Sequence, residues 1–342
     1  MALMEGGTTL SATIKDVAAM SRTSIATVSR YINGKTIKRS TQDAIENAIK
    51  VLNYEINTNA RALKTNSSML IGIIVPYLNH IYDISIVKGI QNYLVKLGYN
   101  IMLLESNDSI DEENRAVDYM LNKNVNGIII NSDTNNTKMY EKIQSSGTPV
   151  VLIDQLPDNI KANAVIADNV NAIYQVVEHL IKMGHKRISI ILGNEDSFTT
   201  KERLKGYERA LEDYNIDIDR SLIKYGNYKT DCAYEKMKEL LNNGNITAVI
   251  TTNYDMTHGA ILAINEMDVS IPDDISFIGY DDISIAKIYK PQLSVIMQPM
   301  LEIGQKAAEI IIKSIREKGM GQKNELFRLK TSFIQGKSIK RI

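Results

Sequence analysis

The spacing of apolar residues changes character once along this chain, near residue 69. Before that point they recur on a helical period. Ile14, Val17 and Ala18 mark a helix over Ile14–Met20, and Val28 and Ile32 mark a second over Ile25–Tyr31 with Ser24 as its N-cap. Asn33-Gly34 closes the second helix with a pair suited to a left-handed cap. Ala44, Ile45, Ala48, Ile49 and Leu52 share one face of a third helix, Thr41–Leu52. Asn57–Ser68 is polar and short, below the ~12–15 residues an isolated helix needs in water, and reads as a linker that folds only when something supports it.

From Met69 onward, strand-length apolar runs alternate with amphipathic helices. One series of strands is Leu70–Val75, Ile101–Leu104, Gly127–Ile130, Val150–Ile153 and Val165–Ala167. A second is Ile188–Leu192, Leu222–Tyr225, Ala248–Thr251, Ser276–Gly279 and Ser294–Met297. Helices such as Ile84–Leu97 and Ala172–Met183 separate them. Such alternation predicts parallel sheets covered by helices, and two series predict two lobes. Ligands in these folds bind beyond the carboxyl ends of the strands, so the cleft between the lobes is the expected site.

Composition changes this picture little; the distribution of charge changes it more. The 342 residues carry zero formal net charge, yet residues 13–66 hold nine Lys/Arg against four Asp/Glu, while residues 67–342 are mildly acidic. A basic head on an acidic body is expected when only the head meets phosphate. One cysteine, Cys232, rules out an intrachain disulfide, and no metal-ligand spacing accompanies it. No apolar run approaches the ~20 residues of a membrane helix. Residues 1–12 lack a basic start and an apolar middle, and read as a disordered leader. A cytoplasmic location without membrane association follows as the expectation. There is no P-loop, nucleophile elbow or paired metal ligand to support an enzyme.

Several runs carry a resemblance. Thr13-Ile14-Lys15-Asp16-Val17-Ala18, Ser24-Ile25-Ala26-Thr27-Val28-Ser29-Arg30 and Asn33-Gly34 resemble the headpiece of the lactose/galactose repressor (LacI/GalR) family. Ala60-Arg61-Ala62-Leu63, Pro149–Asp154, Asp168-Asn169, Glu178-His179-Leu180, Gly184-His185, Arg203–Tyr207, Pro272-Asp273-Asp274-Ile275, Gly279-Tyr280-Asp281-Asp282 and Gln298-Pro299 extend it over almost the whole chain. Departures include Arg22-Thr23 where the family carries Gly-Val in the turn, Ile56 for a hinge proline, and Gly336 for an arginine.

The resemblance implies an all-α helix-turn-helix headpiece (13–56), a hinge (57–67) and an α/β body of two parallel-sheet lobes resembling periplasmic sugar-binding proteins (68–342). In it the first lobe is formed by about 68–166 with 298–328, and the second by about 167–297 with 329–342. It implies a homodimer on a pseudo-palindromic duplex operator. Thr13, Ser24, Thr27, Ser29 and Asn33 would contact the backbone, where hydroxyls and amides suit phosphate oxygens. Ile25 and Ala26 occupy the specificity positions and can touch thymine methyls, while Arg30 can grip guanine O6 and N7. In the hinge, Asn57, Ala60 and Leu63 would enter the minor groove, with Leu63 as the wedge. The other reading of Leu63 is a plain apolar contact with the body.

For the body, the resemblance implies a small-molecule effector, a sugar, and no cofactor. Arg203, read as the opening residue of a helix, and Asp281 would both project into the cleft and bind vicinal hydroxyls. Asn253 and Asn131 follow equivalent strands of the two lobes, Tyr228 would pack on an apolar ligand face, and His80 and Tyr82 follow the first strand. The function expected is a sequence-specific repressor whose operator affinity is set by a ligand held between lobes. The alternative is a regulator of the same architecture that answers to a nucleobase or a phosphocarrier protein. Ser24-Ile25-Ala26-Thr27 and Pro291-Gln292-Leu293 with Gln298-Pro299-Met300 resemble the catabolite-control branch.

Overall fold

The computed structural model describes residues 12–32, 35–54, 68–134, 136–156, 162–281, 283–317 and 324–342. The leader up to residue 11, Asn33-Gly34, and the hinge with Asn57, Ala60 and Leu63 lie outside the described residues. The chain divides into two compact units, Met1–Ser68 and Met69–Ile342.

The first unit contains helices α1 (Ile14–Met20), α2 (Ile25–Ile32) and α3 (Arg39–Val51). Their apolar faces meet in a small core of Val17, Ala18, Val28, Ile45 and Ala48, with Ile14, Tyr31, Ile49 and Leu52 packed around it. α3 begins at Arg39, two residues before the expected start at Thr41, because polar first-turn residues need no core contact. The turn between α1 and α2 places Arg22 in the left-handed region, at φ 52°. This is the turn position where the resemblance implied glycine, and a side chain there costs on the order of 1 kcal/mol.

The second unit holds two six-stranded sheets. The first sheet uses β1 (Leu70–Val75), β2 (Asn100–Glu105), β3 (Gly127–Asn131), β4 (Val150–Ile153), β5 (Asn163–Ala167) and β11 (Leu326–Leu329), in the order β11-β5-β4-β3-β1-β2. The second uses β6 (Ile188–Leu192), β7 (Ile223–Tyr225), β8 (Ala248–Thr251), β9 (Ser276–Tyr280), β10 (Ser294–Met297) and β12 (Ser332–Ile334), in the order β12-β10-β9-β8-β6-β7. All ten strands anticipated from apolar runs are present. β11 and β12 are additional: both are edge strands with partly exposed side chains, so neither makes an apolar run. β12 is antiparallel to β10, whereas every other recorded strand pairing is parallel.

Helices cover both faces of each sheet, as buried parallel strands require. On the first sheet α4 (Ile81–Leu94) crosses α12 (Met300–Arg316) on one face, and α5 (Ile110–Asn122) and α6 (Thr137–Ser146) cover the other. On the second sheet lie α7 (Asn169–Lys182), α8 (Phe198–Asp213), α9 (Thr230–Asn242), α10 (Tyr254–Glu266) and the short α11 (Ile283–Ile288). At the α4–α12 crossing the backbones touch: a Cβ on Gly89 would lie 2.3 Å from the Leu301 carbonyl oxygen, and one on Gly304 would lie 2.1 Å from that of Ile86. The chain passes between lobes after β5, after β10 and between β11 and β12. Its last residues are strapped to the second lobe by Ser338, whose hydroxyl donates to the Phe277 carbonyl at 2.6 Å and accepts from the Ser294 amide at 2.7 Å.

Replacing Arg22 by glycine is expected to remove the left-handed penalty and stabilise the headpiece by about 1 kcal/mol. Slower amide exchange at Val28 and Ile45 in the full-length protein would register it; unchanged or faster exchange would show that the turn holds no strain.

Candidate functional sites: an exposed recognition helix and an interlobe cleft

In the headpiece, Ser24 caps α2. Its Oγ accepts from the Thr27 amide at 3.1 Å and shares a 2.8 Å hydrogen bond with the Thr27 hydroxyl. Thr13 opens α1 through Asp16, which accepts from both the Thr13 amide at 2.8 Å and its hydroxyl at 2.7 Å. Capping therefore occupies part of the polar capacity of Ser24, Thr27 and Thr13, a role local structure alone explains. Ile25 is different. It is 44% exposed at the start of α2 and takes no part in the headpiece core. Ala26 and Arg30 are exposed beside it, and Ser29 is half-buried. A helix that buries Val28 while presenting Ile25, Ala26 and Arg30 to solvent has a face whose composition packing does not account for.

In the body, all seven residues singled out from the sequence (His80, Tyr82, Asn131, Arg203, Tyr228, Asn253 and Asp281) line one cavity of about 90 Å³. They reach it from strand carboxyl ends: His80 after β1, Asn131 at the end of β3, Tyr228 after β7, Asn253 after β8 and Asp281 after β9. Arg203 is not the opening residue of its helix. α8 starts five residues earlier, capped by Ser197, so Arg203 lies on the second turn and points inward, 4% exposed. Its Nε donates to Asn169 Oδ1 at 2.8 Å and its Nη1 to the Thr252 carbonyl at 2.6 Å. Its guanidinium lies 4.6 Å from the centre of the Tyr280 ring. Burial works against its charge, but the surrounding tyrosines and carboxylates outweigh that and keep it protonated.

Asp281 accepts from the Gln298 amide nitrogen at 3.2 Å and from its side-chain Nε2 at 2.7 Å. Tyr82 donates to Asp154, which also accepts from the Ala167 amide at 3.0 Å. Asn131 donates to Asp83 at 2.6 Å. Asn253 is largely spent on the protein: its Oδ1 caps α10 at the Met256 amide, 2.8 Å away, and its Nδ2 donates to the Tyr228 carbonyl at 3.3 Å. The imidazole of His80 lies 3.8 Å from Asp83 on its own lobe and 3.6 Å from Asp255 on the other. Tyr228 is held by three hydroxyls, those of Ser197, Thr199 and Thr200, at 2.7–2.9 Å. Its ring lies so close over Gly193 that a Cβ there would sit 1.9 Å from Cζ, so only glycine admits it.

The cavity backbone is also unusual. Asp108, Asp154, Tyr228 and Asp281 all adopt positive φ, between 50° and 63°. For non-glycine residues such conformations are sparsely populated and cluster at sites where the surroundings over-determine them.

The sequence reading missed the acidic wall. Asp83, Asp108, Asp133, Asp154 and Asp255 line the cavity together with Asp281. Asp108, Asp133 and Asp154 stand within three residues of the ends of β2, β3 and β4, so position after a parallel strand was the available signal. Burial, reinforced by neighbouring carboxylates, pushes Asp83 up to about 8 and Asp133 to about 7. Burial likewise pushes Asp281 to about 7 against the opposing pull of Arg203.

An α-helical headpiece with an exposed helix face and a two-lobed α/β body with a polar cavity at its strand ends are the features of a DNA-binding regulator. Comparison with known proteins supports that class. Residues 13–57 match bacterial regulatory proteins of the lacI family, and residues 68–335 match the periplasmic binding proteins and sugar binding domain of LacI family. The chain belongs to the LacI family, whose members are DNA-binding transcriptional repressors and not enzymes. It is 32% identical over 335 residues to the HTH-type transcriptional repressor PurR of Haemophilus influenzae (strain PittEE), covering 97% of this chain and 99% of the relative. Among solved structures it resembles the lac repressor dimer bound to operator and the anti-inducer ONPF (TM-score 0.85, 26% identity, 96% of this chain and 99% of that one). It also resembles a complex of the transcriptional regulator CelR with cellobiose (TM-score 0.72, 26% identity, 96% and 99%). No helix among the described residues is long and apolar enough to cross a membrane.

Asp133 gives the cleft a pH signature. Its carboxyl is raised from 3.8 to about 7 in the folded protein, so the unfolded chain ionises first. The stability present below pH 3.8 is lost as pH rises toward 7. Asp133→Asn is therefore expected to raise the thermal midpoint relative to the parent by more at pH 8 than at pH 5. A gain independent of pH would mean that the carboxylate is not desolvated.

Proposed function

We propose that the protein is a homodimeric repressor whose affinity for a pseudo-palindromic operator is set by a small molecule bound between the lobes. The observation that carries this is the convergence of seven residues from four loops, one strand end and two helices on one cavity. A ligand touching both lobes favours one relative orientation of them, and that orientation biases the two hinges leading to the headpieces. Arg30 reads bases, Ile25 and Ala26 supply apolar contact, and Thr13, Ser24, Thr27, Ser29 and Asn33 meet the backbone. Asn57, Ala60 and Leu63 belong to the hinge contact. These DNA-contacting roles rest on the family resemblance together with the exposure of the α2 face.

The effector we favour is a sugar: Arg203 and Asp281 together offer donors and acceptors to vicinal hydroxyls, with Tyr228 against the ligand's apolar face. The similarity to a relative named PurR favours a second reading, a nucleobase. A thermal-shift screen of sugars and nucleobases separates the two. A ligand at 100 times its Kd stabilises by about 2.7 kcal/mol, and Arg203→Ala and Asp281→Ala are expected to abolish that shift. A shift retained in both variants would move the site elsewhere.

For the headpiece, Arg30→Ala is expected to cost about 1–3 kcal/mol on the specific operator while leaving affinity for scrambled duplex nearly unchanged. Both affinities are measured across a salt titration, which separates the electrostatic component from base readout. An equal loss on both duplexes would assign Arg30 to phosphate.

A further inference from the structure

We propose that the cleft selects an effector bearing a protonated amine on a polyhydroxylated frame, with Asp133 as the residue that reads the positive charge. This rests on the interlobe cavity being the effector site; the cavity supplies the site, and the carboxylates decide only what charge it prefers. Most of the polar groups around it are already committed. Arg203 is engaged by Asn169 and the Thr252 carbonyl and stacked on Tyr280. Asp281 takes both donors of Gln298, Asp154 takes Tyr82 and the Ala167 amide, and Asp83 takes Asn131. Asp133 accepts no hydrogen bond among the described residues, and the charge of Asp108 on the same lobe bears on it more strongly than the opposing charge of Arg203. A desolvated carboxylate with a like charge near it and no donor of its own is stabilised by a cation.

Asp133 is also held where it is. Glu113 is fully buried on α5 and accepts from the residues on either side: the Ser132 hydroxyl, the Thr134 hydroxyl at 2.6 Å and Asn136 Nδ2 at 3.0 Å. The Thr134 amide donates back to Ser132 Oγ at 3.0 Å, and Gln155 donates to the Thr134 carbonyl. A loop bolted on both flanks cannot turn Asp133 toward another donor in the protein, so its acceptor capacity stays directed at the cavity. Glu113 is thus a positioning residue for this charge. An ammonium brings three donors and one positive charge, which suits Asp133 with its neighbours Asp108 and Asp83. A phosphorylated ligand brings the wrong sign to the same wall.

The test uses full-length protein at pH 7 and isothermal titration with matched pairs: D-glucose and D-glucosamine, D-galactose and D-galactosamine, D-sorbitol and D-glucamine. In at least one pair the amine is expected to bind about tenfold or more tightly than its neutral partner, the effect of one desolvated opposite charge. Asp133→Asn is expected to bring the two members of that pair within about threefold by weakening the amine more than its neutral partner. Glu113→Gln is expected to erode the same preference while neutral-ligand affinity holds. Neutral members binding as tightly as or more tightly than their amines would overturn the inference and leave the cleft standing as a sugar site. So would a preference that survives Asp133→Asn, or the failure of every amine to bind. Loss of nucleobase and sugar binding alike, with operator binding intact, would instead count against the cleft reading itself.

Discussion

A single buried positive charge organises the body. Arg203 sits on the second turn of α8 with its guanidinium enclosed by Asn169 from α7, the Thr252 carbonyl at the end of β8 and the ring of Tyr280 at the end of β9. A charge taken out of water at that depth is tolerable only when its donors are satisfied and counter-charge lies close. The elements of the second lobe that carry cavity residues therefore converge on it, and Asp281 and Gln298 complete the arrangement at the mouth of the sheet. The first lobe answers with carboxylates, so the cleft is a place where opposite charges face each other in a medium that screens them poorly.

Steric permission comes from a few positions without side chains. Gly89 and Gly304 let α4 and α12 touch backbone to backbone behind the first sheet, and Gly193 leaves room for the Tyr228 ring. Around the cavity the cost runs the other way: Asp108, Asp154, Tyr228 and Asp281 hold left-handed backbones although none is glycine. The hydrogen bonds of Asp154 and Asp281, and the three hydroxyls on Tyr228, keep these conformations in place. A rigid scaffold behind and a strained rim in front suit a site that must present several polar groups at once.

Much of this was legible beforehand. The three headpiece helices and ten of the strands are written in apolar periodicity, because a half-buried helix and a doubly covered strand each demand a characteristic spacing. β11 and β12 were not legible, since edge strands with exposed side chains carry no such demand. The seven cleft residues came from family resemblance and do share one cavity. Asn253 shows the limit of that route: it lines the cavity, but its amide is consumed by α10 and the Tyr228 carbonyl.

The order of elements, the basic head, the acidic body and the residues following each strand were determined by the sequence alone, because they depend on local spacing and composition. Which of those residues face one another was decided by tertiary structure. Asp83, Asp108, Asp133 and Asp255 are scattered over more than half of the body, and only the placing of strand ends from two sheets around a common cleft and the crossing of the chain between them bring their carboxylates to one cavity. Charge in a shared, poorly hydrated space is a property of distances between loops, and local sequence holds no record of those distances.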